Sequence, residues 1–329
     1  MRRRDLIAAA ALGWPLRSFA QPALGSPLVA VLWPGRPETE VDFDAALRSG
    51  LKDGGYVEGT NFAFAMRYAT GDLGRLAPLA AELAALKPRV ILTGSDDAVL
   101  AVHRAAPTVS TITAGMTADP VALGLAESYA RPGGTVTGLT LNAGGGEEAI
   151  TGKRIGLLKE VVPALARLGV IGVADIPLTT AALNGAKGAG ARLGVDVLPF
   201  LVRTLDDVDA AFASGVRAGA GAFYVVGAPL LMTNRVKVAE LAAHAGKPTI
   251  GLLVEQARAG LLMSYSSDLV ECWRLAGGYA AKILAGAKPG DLPIEQASKF
   301  TFVINLKTAK ALGITVPPRL LLLADETVD

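Results

Sequence analysis

The chain has 329 residues, more than one lobe of a doubly wound fold needs, and at about 100–200 residues per domain this length points to two domains. Apolar residues make up 51% and charged residues 19%, which excludes global disorder and allows large buried cores. The formal net charge of +2 comes from the first 20 residues, where Arg2, Arg3, Arg4 and Arg17 face a single Asp5. The remainder, at about −1, lacks the basic footprint of a nucleic-acid binder.

Residues 1–20 read as a secretory signal peptide. Arg2-Arg3-Arg4 is the basic region, Leu6 to Leu12 the apolar one, and Ser18-Phe19-Ala20 places small residues for cleavage near Ala20. Arg3-Arg4-Asp5-Leu6-Ile7 also fits a loose twin-arginine pattern, so either export route is open. Gly13 and Pro15 interrupt the apolar run far short of the ~20 residues that span a bilayer. No later stretch is long enough for stable membrane insertion. The single cysteine, Cys272, allows no internal disulfide and lies far from any lipidation position. The expected location is the periplasm.

The rest of the chain alternates short β-rich runs with amphipathic helical ones. Leu28 to Trp33 is an apolar run that suits a strand buried on both faces, and Phe43, Leu47 and Leu51 lie on one face of a helix that stops at Gly54-Gly55. Strands follow over Asn61–Tyr68, Arg89–Gly94, Val109–Thr113 and Val136–Leu139, with helices after Asp72, over Ala98–Ala106 and over Leu123–Ala130. Gly144-Gly145-Gly146 lies just past an expected crossing between lobes. The second half repeats the pattern. Strands are expected at Leu168–Val173, Asp196–Leu201, Ala222–Val226 and Thr249–Val254. Helices are expected at Glu147–Val161, Thr179–Leu193, Asp206–Ala218 and Asn234–Ala245. The tail reads as strand Leu261–Tyr265, helix Leu269–Ala285, strand Phe300–Asn305 and helix Thr308–Leu312. Such alternation implies right-handed βαβ units and two parallel sheets, an α/β fold of two Rossmann-like lobes.

A catalytic constellation is missing from the sequence. Its two histidines, His103 and His244, fall in separate helices, and with one cysteine they form no metal cluster. Gly152-Lys153 fails as a phosphate loop, because Glu147 stands where a glycine is needed and Arg154 where a hydroxyl would hold magnesium. Gly133-Gly134 precedes a strand, so it is no dinucleotide fingerprint, and no Gly-x-Ser-x-Gly elbow occurs. No cofactor and no metal is expected.

The informative positions are the loops at the carboxyl ends of strands, where open α/β sheets bind ligands and helix N-termini offer free N–H groups. In the first half these carry Trp33 and Gly35; Thr93, Gly94, Ser95 and Asp96; Thr113 and Gly115, running on to Asp119. In the second half they carry Asp175, then Gly227 and Ala228, with Tyr265 after a late strand. Small residues, hydroxyls, carboxylates and two aromatics suit a polar head group beside an apolar body. Each also has a plainer use: Ser95 or Asp96 as a helix cap, Asp119 as a turn, Trp33 and Tyr265 as packing.

With these segments placed, the chain resembles the ABC-transporter substrate-binding proteins related to periplasmic tryptophan/tyrosine-binding proteins. The resemblance rests on Gly54-Gly55-Tyr56-Val57-Glu58-Gly59, Leu76 to Leu83, Asp119-Pro120-Val121-Ala122-Leu123-Gly124-Leu125, Ala130 to Gly138, Gly260 to Tyr265 and Lys299 to Gly313, in order along nearly the whole mature chain. It implies the type I periplasmic-binding-protein fold with a three-strand hinge. Lobe one would take 27–142 plus 260–290, and lobe two 143–259 plus 291–329. It also implies a cleft that closes on a small-molecule ligand, an ABC permease in the inner membrane as partner, and no enzyme activity. Two departures bear on the ligand. The loop after Gly94 reads Ser95-Asp96-Asp97 where many relatives are neutral, and the loop after Val173 lacks a common Asn-Pro pair. Three other readings compete: a sensor of the same fold coupled to a receptor, an exported Rossmann-like enzyme, and a repressor. The repressor is disfavoured because the signal occupies the place of its DNA-binding helices.

Overall fold

The computed structural model describes residues 26–141 and 146–329. The expected signal peptide and most of the Gly144–Gly146 run lie outside the described residues. The first part runs β1 (Leu28–Trp33), α1 (Val41–Asp53), β2 (Ala63–Tyr68), α2 (Leu76–Ala85), β3 (Val90–Thr93), α3 (Asp96–Ala105), β4 (Ser110–Met116) and β5 (Val136–Thr140). Next come α4 (Gly146–Val161), β6 (Arg167–Val173), α5 (Pro177–Leu193), β7 (Asp196–Val202), α6 (Asp207–Arg217) and β8 (Ala222–Val225). They are followed by α7 (Pro229–Thr233), α8 (Arg235–Ala245), β9 (Thr249–Gly251), α9 (Val254–Arg258) and β10 (Met263–Ser267). The tail holds α10 (Leu269–Leu284), β11 (Ile294–Gln296), β12 (Phe300–Asn305), α11 (Leu306–Ala311), α12 (Pro318–Leu323) and β13 (Glu326–Val328).

Two sheets form, with strand orders β11-β5-β4-β3-β1-β2 and β13-β12-β10-β9-β8-β6-β7. The first is parallel throughout; in the second, β10 and β12 pair antiparallel. Each sheet is covered on both faces, as its near-continuous apolar strands require. In β1, Val29, Val31 and Trp33 join the core under α1 and α10, while Ala30 and Leu32 join the one under α2 and α3. In β8, Ala222 and Tyr224 face α4 and α5, and Phe223 and Val225 face α6 and α8. Helices α1 and α10 lie unusually close. A Cβ on Gly277 would strike the Leu47 carbonyl, and one on Gly50 would strike the Arg274 carbonyl, so only glycine permits this approach.

Several elements differ from expectation. Residues 123–130 form turns and bends rather than a helix; Gly124 takes φ +69°, which stops a helix after one turn. The strand expected over Thr249–Val254 ends at Gly251 and turns into α9. The division between lobes also differs. β10, expected in lobe one, lies between β9 and β12 of the second sheet, and β11, expected in lobe two, adds to the edge of the first beside β5. Pairing across sheets is set by long-range contacts, which local periodicity does not encode, and Pro289 and Pro293 mask a three-residue strand. Crossings therefore fall between β5 and α4, at Asp268, and between β11 and β12. The second and third are tied together: the Asp268 N–H donates to the Lys299 carbonyl at 2.9 Å, and the Lys299 ammonium meets the Asp268 carboxylate at 2.7 Å. The Asp268 carboxylate also accepts the Glu271 N–H at 3.0 Å, capping α10.

Candidate functional site

The carboxyl ends of both sheets face one another across a cavity of about 850 Å³, open space at its mouth included. Lobe one lines it with the loops after β1, β3, β4 and β5 and with the first turns of α1 and α10. Lobe two lines it with the loops after β6, β8 and β9 and with α7 and α8.

The lobe-one wall is acidic and aromatic. After β3, Ser95 caps α3, its hydroxyl accepting the Ala98 N–H at 3.4 Å. Asp96 is buried, and its carboxylate accepts the backbone N–H groups of Thr117 (2.8 Å) and Ala118 (3.0 Å) and the Thr117 hydroxyl. It therefore clamps the loop after β4 to α3. Beside it Asp97 is pushed up, by burial first and by the Asp96 charge second. The floor comes from α10. Trp273 packs on Trp33 with ring centroids 4.3 Å apart, and its indole would lie 2.8 Å from a Cβ on Gly94. A Cβ on Gly115 would meet Leu269 at 3.1 Å. Glycine at these two strand ends is what lets large α10 side chains reach the cavity. Glu40, half-buried on the rim before α1, is pushed up to about 7 by burial, against the Thr39 hydroxyl, the Arg235 charge and the Gly35 N–H, which act to lower it.

The lobe-two wall is aliphatic with one cation. Ile176, Leu178, Met232, Leu252 and Leu253 line it, and Arg235 enters from the first turn of α8. The Arg235 guanidinium donates to the Met232 carbonyl at 3.3 Å and makes no ion pair among the described residues. The two lobes touch along the rim. Arg36 donates to the Thr233 carbonyl (3.4 Å) and the Asn234 side-chain oxygen (3.2 Å), and Leu73 packs into the lobe-two core. The cleft is thus in a closed arrangement.

Of the positions expected from sequence, the cavity brings together Gly35, Gly94, Ser95, Asp96, Gly115 and Gly227. The others lie elsewhere. Trp33, Thr93, Thr113 and Ala228 are fully buried behind the wall; the Thr93 hydroxyl donates to the Leu32 carbonyl at 2.8 Å. Asp119 holds a surface turn, accepting the Val121 N–H at 2.9 Å and the Tyr129 hydroxyl at 3.3 Å. Asp175 is exposed at φ +60° and pairs with Arg203 at 2.7 Å. Tyr265 stacks on Phe300 at 5.5 Å, inside lobe two because β10 belongs to that sheet. Residues at a strand's last position point into the sheet's covering layers; the cleft is reached only one or two positions later. Reading strand ends alone also misses Glu40, Phe43, Thr117, Met232, Arg235, Leu252 and Trp273. Gly94 and Gly115 were the available signal for Trp273, since a strand end without side chains invites a large one from elsewhere.

With fold and cleft described, comparison with known proteins becomes informative. The family profile described as ABC transporter substrate binding protein matches residues 40–328. A tyrosine-binding protein of Clostridioides difficile (strain R20291) is 24% identical over 264 residues, covering 80% of this chain and 74% of that one. An ABC domain from Streptococcus pneumoniae, solved in complex with L-Trp, superposes with a TM-score of 0.82 at 21% identity, over 92% of this chain and 100% of that one. A conserved domain protein from Vibrio cholerae gives a TM-score of 0.83 at 24% identity, over 92% and 99%. These structures share the type I periplasmic-binding-protein fold, and the relatives are solute-binding proteins rather than enzymes. With the profile spanning almost all of the described residues, the chain belongs to the ABC transporter substrate-binding protein family.

Proposed function

We propose that this chain is the periplasmic capture subunit of an ABC importer, exported with cleavage near Ala20. It binds an amino-acid-like solute with an aromatic or other apolar body between its lobes and delivers it to an inner-membrane permease. One observation carries the reading: a single cavity whose walls differ in chemistry, acidic and aromatic on lobe one, aliphatic on lobe two with Arg235, which makes no ion pair among the described residues. A zwitterion with an apolar side chain has a charge for each wall and a body for the Trp273, Phe43 and Leu252 surfaces between them. The relatives named for tyrosine and solved with L-Trp support the same class.

The test is a thermal-shift and calorimetric panel of aromatic, aliphatic and basic amino acids, sugars, nucleosides and polyamines. The expected result is a saturable rise in Tm for aromatic amino acids, growing with the logarithm of concentration over Kd. A saturable shift confined to sugars or nucleosides overturns the ligand class. Loss of uptake on deleting the gene, restored by this chain and not by one lacking residues 1–20, tests export and delivery.

A further inference from the structure

Among the described residues three carboxylates line the cleft, and they are not equivalent. Asp96 is spent on the Thr117 and Ala118 N–H groups and the Thr117 hydroxyl. Asp97 sits beside it on α3 and shares its negative field. Glu40 stands apart on the lobe-one rim and lines the same cavity. From its own loop it meets the Gly35 N–H and, at a long 3.4 Å, the Thr39 hydroxyl, which is also within 2.9 Å of the Arg36 carbonyl. Gly35 has no side chain to displace it: a Cβ there would strike the carboxylate. From lobe two it feels the charges of Arg235 of α8, which lines the same cavity, and of Glu255 of α9, which does not; Arg235 forms no ion pair with it among the described residues. Glu255, itself pushed up by burial, adds negative charge on the far side, with Asp42 of α1 nearby.

We propose that Glu40 receives the positive end of the solute, and that capture of an ammonium-bearing solute is coupled to loss of the Glu40 proton. The inference rests on the amino-acid reading of the cleft. A half-buried carboxyl with one backbone donor, one long hydroxyl contact and no ion pair among the described residues lacks the partner its charged form needs. An ammonium placed between it and the cavity supplies that partner, while the solute carboxylate points to Arg235 on the opposite lobe. The two ends of one small molecule then join the lobes, which ties recognition of both charges to closure. Burial holding Glu40 at about 7 in the empty cleft puts the coupling in the range a periplasm experiences.

The sign follows from linkage. Below about 7 the empty cleft holds the proton and binding must expel it; above, the carboxylate is already charged. Titration calorimetry with L-tyrosine, L-tryptophan, tyramine and 3-(4-hydroxyphenyl)propionate at pH 5.5 and pH 8 reads this directly. For the amine-bearing probes, Kd is expected to be about 30-fold weaker at pH 5.5, with release of about one proton per solute, measured in buffers of different ionisation enthalpy. Glu40→Gln should weaken binding at pH 8 to roughly the wild-type value at pH 5.5 and flatten the pH dependence. Wild-type affinity equal at both pH values with no proton exchange overturns the proposal, as does an unchanged pH dependence in Glu40→Gln. The same pH dependence for the propionate, which has no ammonium, overturns it too. The proton count needs no variant, so a poorly folding Glu40→Gln does not shield the idea. If tyramine binds with proton release and no amino acid binds, the amino-acid reading fails and the Glu40 assignment stands. If no amine-bearing probe binds at either pH, both fall.

Discussion

The two walls of the cleft are built differently. Lobe one presents its groups on short loops pinned from behind: Trp273 is wedged between Trp33 and Phe43, and the loop after β4 is held to α3 by the buried Asp96. Lobe two presents aliphatic side chains and one arginine that, among the described residues, is held by a 3.3 Å bond to a carbonyl of its own segment. A rigid wall costs little entropy when a solute docks, whereas an adaptable one can close over solutes of different shape.

Removing the pinned aromatic should break that contrast most severely. Trp273→Ala empties the lobe-one floor and is expected to cost about 3–5 kcal/mol of stability, seen as a Tm fall of roughly 10 °C, together with lost affinity. An affinity loss without a Tm change would mean the floor is not structural. Arg235→Gln sharpens the contrast from the other side. It should weaken carboxylate-bearing solutes roughly 10- to 100-fold while leaving the solute-free Tm nearly unchanged, because the guanidinium makes one long hydrogen bond and no ion pair among the described residues. The smallest effect is expected at the rim. Arg36 is exposed, so Arg36→Ala should change Kd by no more than about threefold and stability by under about 1 kcal/mol. A larger change in Kd would show that the closed form depends on rim contacts rather than on the solute.

The layers of both lobes were legible because buried parallel strands are apolar on both faces. Leu28–Trp33 and Ala222–Val225 announce themselves without any partner in view. What local pattern could not supply was partnership. Leu261–Tyr265 reads as a strand on either side of the hinge, and the place of β10 beside β9 and β12 depends on residues far along the chain. The site was partly legible for a related reason. Strand-end glycines and the Ser95-Asp96 cap advertise a loop that a ligand can approach, and Gly35, Gly94, Gly115 and Gly227 do line the cavity. Trp33 and Thr93 sit one register position too early, inside the layers. Trp273 and Arg235 enter from helices whose sequence carries no mark of the cleft, and Asp96 turned out to serve the loop after β4.

The tie between Asp268 and Lys299 has a mechanical meaning. Two strands of a hinge that share a hydrogen bond and an ion pair must turn together, so they act as one pivot rather than two. Asp268 is also the cap from which α10 departs, and α10 carries Leu269 and Trp273 into the floor of the cleft. The helix that supplies the floor of the cleft is therefore continuous with the pivot between the lobes.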